Sequence, residues 1–175
     1  MIGLQHRLIN YNSKRDLVSK FLNYKNVNEI SSVKSMNLNF SELKNKSLVI
    51  LGLGFFYLLV QKKGYSKIKT KKHFSKNFNC SVKLSEVEAL NFLERFFYVN
   101  LLNILDLEGG FSKRFISGSG TFSFTIKDIY IFSELGDSLS KFQSLKNLNI
   151  SLSFSNTNRV ENIAVLQSIG FTFKD

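Results

Sequence analysis

The chain has 175 residues, 43% of them hydrophobic, and a net charge of +11. That is one domain's worth of polypeptide with enough apolar material for a core, which excludes wholesale disorder. A lone cysteine, Cys80, and two histidines, His6 and His73, exclude a disulfide framework and a multi-cysteine zinc site.

Residues 1–13 are a basic, acid-free extension without the apolar stretch of a signal peptide, and residues 14–175 read as a single domain. Within 14–24, Leu17, Val18, Phe21 and Leu22 share one helical face. Over 33–40 the pattern ends in alternation, with Met36, Leu38 and Phe40 on one side and Asn37 and Asn39 on the other, which predicts a half-buried strand. Residues 47–60 predict an apolar helix, although Gly52 and Gly54 lower its intrinsic propensity. Its apolar run, 48–60, has 13 residues, whereas a membrane span needs about 20. Lys44, Lys46, Lys62 and Lys63 flank it, so an interfacial helix on a peripheral membrane protein is the alternative.

Residues 61–79 read as a strand plus a mobile loop, and 78–84 as the next strand. Ser85 and Glu88 have the spacing of a capping box. After them Val87, Leu90, Leu93, Phe97, Leu101 and Ile104 recur at helical steps, up to the Gly109-Gly110 break. Residues 110–120 form a glycine- and serine-rich loop. The runs 121–126 and 148–154 alternate strictly, and Asn158 and Glu161 can cap a last helix through Gln167. The order predicts an α+β domain, an antiparallel sheet with helices packed on one face.

The charge is uneven. Residues 1–85 hold 16 basic and 3 acidic side chains; residues 86–175 hold 8 and 10. No acid occurs between Glu42 and Glu86, and Lys62, Lys63, Lys67, Lys69, Lys71, Lys72 and Lys76 fall among Tyr65, Phe74 and Phe78. Lysines bind phosphates as point charges and aromatic rings stack on unpaired bases, so this stretch points to nucleic acid. Gly118-Ser119-Gly120 precedes a strand rather than a helix and reads as a turn, not a dinucleotide fingerprint. His73 sits among lysines with no carboxylate or nucleophile beside it, and Cys80 reads as a packed strand residue. No paired-carboxylate site or triad is visible, which argues against an enzyme, and no cofactor is expected.

At this point the segments resemble a family. LSEVEALNFLERF (84–96), DLEGGFSKRFISGSGTFSFTIKDIYIFSEL (106–135), LNISLSF (148–154) and IGFTF (169–173) are similar to the large-subunit ribosomal protein family that binds 5S rRNA, universal ribosomal protein L five. Upstream, MNLNF (36–40) and QKKGYSKIK (61–69) resemble its first strand and its basic segment. The resemblance implies a structural protein of the central protuberance that contacts 5S rRNA, where the ribosome retains it, large-subunit rRNA and neighbouring ribosomal proteins. The rRNA-facing positions it implies are Asn39, Gln61, Lys62, Lys63, Lys67, Lys69 and Lys83, the last standing where the family usually has a threonine. Lys71, Lys72, His73, Phe74 and Lys76 correspond to a loop facing P-site tRNA, here shorter than the bacterial pattern. Phe111, Ser112, Lys113 and Arg114 correspond to a bridge to a small-subunit head protein.

Residues 14–84 would then be the RNA-facing part and 85–175 the near-neutral scaffold. The family's polar second helix has become LVILGLGFFYLLV, which is expected to pack on an extra protein or lie deeper than usual. Prolines typical of the family are replaced by Ser133 and Thr172. The absence of proline and the abundance of Phe, Lys, Asn and Ile suggest AT-rich coding. With a resemblance that begins near residue 14, this favours synthesis inside an organelle. The expected location is the ribosome of the mitochondrial matrix, the alternatives being another organelle or the cytoplasm of an AT-rich bacterium.

Overall fold

Alternation writes the sheet. In β1 (Val33–Leu43), Met36, Leu38 and Phe40 are fully buried, while Asn37 and Asn39 between them and Ser41 after them are only half-buried. A computed structural model describes residues 29–70, 76–96, 111–118 and 120–174. The expected helix over 14–24 and the part of the long helix beyond 96 lie outside the described residues.

After β1 come α1 (Lys46–Val60), β2 (Tyr65–Thr70), β3 (Lys76–Ser85) and α2 (Glu86–Arg95). β4 (Phe111–Ser112), β5 (Phe122–Ile126), β6 (Leu148–Phe154), α3 (Arg159–Ile169) and β7 (Phe173–Lys174) follow. Between β5 and β6 the chain runs through 3-10 turns at Ile129–Ile131 and Ser133–Phe142, the second kinked at Gly136. The main sheet has the order β2-β3-β1-β6-β5, and every neighbouring pair is antiparallel. This is the expected α+β domain: the apolar parity of β1, β3, β5 and β6 is turned into the core beneath the helices.

β3 begins at Lys76, so 76 and 77 are strand rather than loop, ahead of the expected strand from 78. The 110–120 stretch also carries more structure than a loop. Phe111 and Ser112 pair in parallel with Phe173 and Lys174, Lys113–Phe115 form a 3-10 turn, and Ile116 bridges to Phe122. Sequence spacing alone hides this, because the partner strand is some sixty residues away.

Phenylalanines join the layers. Phe40 lies 5.3 Å from Phe55 and 5.2 Å from Phe56 of α1. The contacts continue through Phe132 to Phe96, and from Phe124 to Phe111 and Phe171, at centroid distances of 5.1 to 6.3 Å. Such edge and tilted contacts add to area burial. They give the abundant phenylalanine a structural job.

Gly52 has one too. A Cβ there would collide with Cys80 Sγ, so glycine lets α1 lie close against β3. Cys80 is fully buried, and burial pushes its thiol up to about 11.

Caps hold the helices as their spacing predicts. The Ser85 backbone N–H donates to the Glu88 carboxylate at 2.7 Å, within a capping box. The Asn158 side chain accepts from the Val160 N–H at 3.1 Å, and Glu161 accepts from the amides of Asn156 and Asn158. Buried Asn162 accepts from the Ser31 hydroxyl and donates to the carbonyls of Gly120 and Asn156 at 3.2 and 3.1 Å. Gly120 has φ 77, and a Cβ there would crowd the same amide.

Candidate nucleic-acid interface

The face of the sheet turned away from the helices carries the opposite parity of each strand. Strand register aligns those residues into rows. One row crosses all five strands as Tyr65, Ser81, Asn39, Asn149 and Thr125. The next runs Lys83, Asn37, Ser151 and Ser123, and the third runs Ser85, Ser35 and Ser153. Lys67 lies beside the first row, paired with Asn79. No carboxylate stands in these rows. Apart from Ser81, their side chains are half-buried or exposed among the described residues.

The face is internally ordered. Thr125 Oγ1 donates to Asn149 Oδ1 at 2.7 Å, and Asn149 Nδ2 donates to Ser41 Oγ at 3.0 Å. The hydroxyls of Ser35 and Ser153 share a 2.7 Å hydrogen bond. Asn37 Oδ1 is buried without a hydrogen-bond partner among the described residues. At the β2 edge the Lys67 ammonium sits 5.5 Å from the Tyr65 ring centroid. The face thus grades from lysine and tyrosine at β2 and β3 to neutral amides and hydroxyls at β6 and β5. Cations suit phosphates, a ring suits a base, and amides and hydroxyls suit 2′-hydroxyls and base edges.

The expected rRNA-facing residues divide. Asn39, Lys67 and Lys83 stand on this face. Lys69 falls two positions beyond Lys67, in register with Asn77. Gln61, Lys62 and Lys63 lie instead in the turn between α1 and β2, where Gln61 takes a left-handed backbone and caps α1 by donating its N–H to the Tyr57 carbonyl. Lys62 is committed to an intramolecular ion pair with Glu88 at 2.7 Å. That contact, with the hydrogen bonds from Ser85, holds the Glu88 carboxyl down at about 2. A capping acid 26 residues away therefore competes for a lysine expected to meet RNA.

Lys71, Lys72, His73 and Phe74 lie outside the described residues. Lys76 opens β3, paired with Thr70. Among the residues expected at an intersubunit bridge, Arg114 is exposed, Ser112 is half-buried and accepts from the Arg114 N–H at 3.3 Å, and Lys113 opens the 3-10 turn. Phe111 departs from that group: it is 2% exposed, packed against Phe122, Phe124 and Phe171. Apart from Asn39 and Lys83, the residues of the rows on β1, β3, β6 and β5 were missing from the expected site. Alternation in 121–126 and 148–154 already put Ser123, Thr125, Asn149 and Ser151 on single strand faces. Only the sheet order brings those faces beside Lys83.

Among the described residues no helix is long and apolar enough to cross a membrane, and no group of three or more His, Cys, Asp or Glu is placed to hold a metal ion.

The family model for the C-terminus of the ribosomal protein L five family matches residues 77–173. The chain is 26% identical over 165 residues to large ribosomal subunit protein uL5 of Geotalea daltonii, covering 89% of this chain and 90% of that one. It is 25% identical to uL5 of Buchnera aphidicola, covering 94% and 97%. It is 26% identical to uL5c of Guillardia theta, covering 91% of each.

Proposed function

The chain belongs to the ribosomal protein L five family, and from that premise we propose that it binds 5S rRNA and large-subunit rRNA through the open face of its sheet. As a family member it is a structural constituent of the large ribosomal subunit, not an enzyme. The observation that carries the proposal is the acid-free row from Tyr65 to Thr125, fringed by Lys67 and Lys83. Lysines supply the salt-dependent, sequence-independent part of the affinity, and the amides and hydroxyls supply register on the RNA.

The same reading puts the chain in the central protuberance, with residues 71–76 toward P-site tRNA and 112–114 toward a small-subunit head protein. It takes the ribosome to be a mitochondrial one. A direct test is 5S rRNA binding by the purified chain over a salt series. Lys67→Glu with Lys83→Glu is expected to weaken binding at least a hundredfold and to flatten the salt dependence by about two phosphate contacts. Unchanged affinity at physiological salt in a folded double variant contradicts it. Reconstituted subunits with and without P-site tRNA test residues 71–76 separately, through protection of their lysines from acetylation.

A further inference from the structure

α1 has two apolar faces, and the sheet uses one. Val49, Gly52, Phe55, Phe56 and Leu59 are turned inward. The outer ridge carries Ile50, Gly54, Tyr57 and Leu58, a helical spacing of four, three and one. Ile50 is 71% exposed, Tyr57 57% and Leu58 48%. No charged residue lies between Lys46 and Lys62. Isolated exposed apolar residues are ordinary, but a continuous ridge on one helix marks a contact surface.

The ends of the ridge say what kind of contact. Lys44 and Lys46 are exposed at its start and Lys63 beyond its end. Lys46 opens the helix, the first turn has no acid, and Asn45 makes no side-chain cap. Cations therefore sit where the helix dipole is already positive, an arrangement an anionic neighbour relieves. At mid-ridge, a Cβ on Gly54 would meet only Phe142, at 3.9 Å, so the glycine leaves a notch for the side chain of a crossing helix.

We propose that the outer face of α1 docks an apolar helical segment of a neighbouring ribosomal protein, with acidic residues at the ends of that segment. A second copy of this chain fits poorly, because lysines at both ends of the ridge repel in either orientation. The flanking lysines also attract RNA phosphates, but the ridge between them offers RNA only the Tyr57 hydroxyl among apolar side chains, which leaves base edges and 2′-hydroxyls unpaired. A bilayer fits less well than a helix. The ridge is a single helix wide, and the segment packed along it through Phe142 exposes Asp137, Ser140 and Lys141, polar groups that entry into a bilayer would have to desolvate. The sheet's RNA face lies on the opposite side, so both surfaces can be filled at once.

The test uses purified ribosomes carrying the full chain with a benzophenone side chain at position 58. Irradiation is expected to cross-link one protein segment whose apolar residues recur at three and four and whose ends carry Asp or Glu. Lys44→Glu with Lys46→Glu is expected to cut that yield at least fivefold, and Ile50→Asn to do so without lowering the melting temperature. Cross-links to RNA, to lipid, to a second copy or to a segment without flanking acids overturn the proposal, as does an absence of cross-links. The 5S rRNA content of the same particles reports on the sheet-face reading independently.

Discussion

The open sheet face and the outer face of α1 both take their lysines from residues 33–85, Lys67 and Lys83 for the sheet and Lys44, Lys46 and Lys63 for the helix. They differ in what lies between the lysines. On the sheet it is asparagine, serine and threonine in register; on the helix it is Ile50, Gly54, Tyr57 and Leu58. Basic charge alone attracts any polyanion. The filling decides the partner: donors and acceptors suit RNA, whereas an apolar ridge suits a protein helix. On the two proposals, lysines of one sign therefore serve two surfaces with two kinds of partner.

The two faces share one core, and the largest expected effect comes from breaking it. Phe55 is fully buried and touches Phe40, Phe132 and Phe142. Phe55→Ala is expected to cost ~3–5 kcal/mol in chemical unfolding and to weaken both surfaces together. A loss of RNA binding with stability intact would contradict that coupling. Gly52→Ala places a methyl against Cys80 and is expected to cost about 1–3 kcal/mol despite the better helix propensity of alanine. Its folded fraction should also show faster alkylation of Cys80, a thiol that burial otherwise keeps protonated and shielded.

The smallest effect sharpens the comparison at the boundary between the faces, where Lys62 pairs with Glu88. The Glu88 carboxyl is held at about 2, below the usual value of 4.5, so the pair contributes stability above pH 4.5 that is lost as pH falls toward 2. Both side chains are some two-fifths exposed, 40% and 43%, so solvent screening limits the contribution to at most about 1 kcal/mol. Glu88→Gln is expected to be less stable than wild type above pH 4.5, by at most about 1 kcal/mol, with the difference closing as pH falls toward 2, and to free Lys62. Identical acid titrations of wild type and variant would remove the pair from the account.

Much of this was legible in the residues. The alternation of 33–40, 121–126 and 148–154 and the Ser85–Glu88 spacing are local signals, and the strands and the cap form where those signals fall. The burial of Phe111 was not legible, because it depends on a parallel partner at Phe173 and on the ring of Phe171, both distant in sequence. The diversion of Lys62 to Glu88 was hidden for the same reason. The polar face lay half in view: each strand displayed its own serine or asparagine parity, while the rows required knowing that β6 and β5 follow β1.

The central claim is that RNA lies on the rows of the sheet. Asn39→Asp changes one amide to a nearly isosteric carboxylate in the middle of the row through Tyr65, Ser81 and Asn149. Placed near phosphates, that charge is expected to lower 5S rRNA affinity about tenfold or more, roughly 1.4 kcal/mol, with the melting temperature unchanged. Equal affinity of Asn39→Asp and wild type at physiological salt would contradict the account.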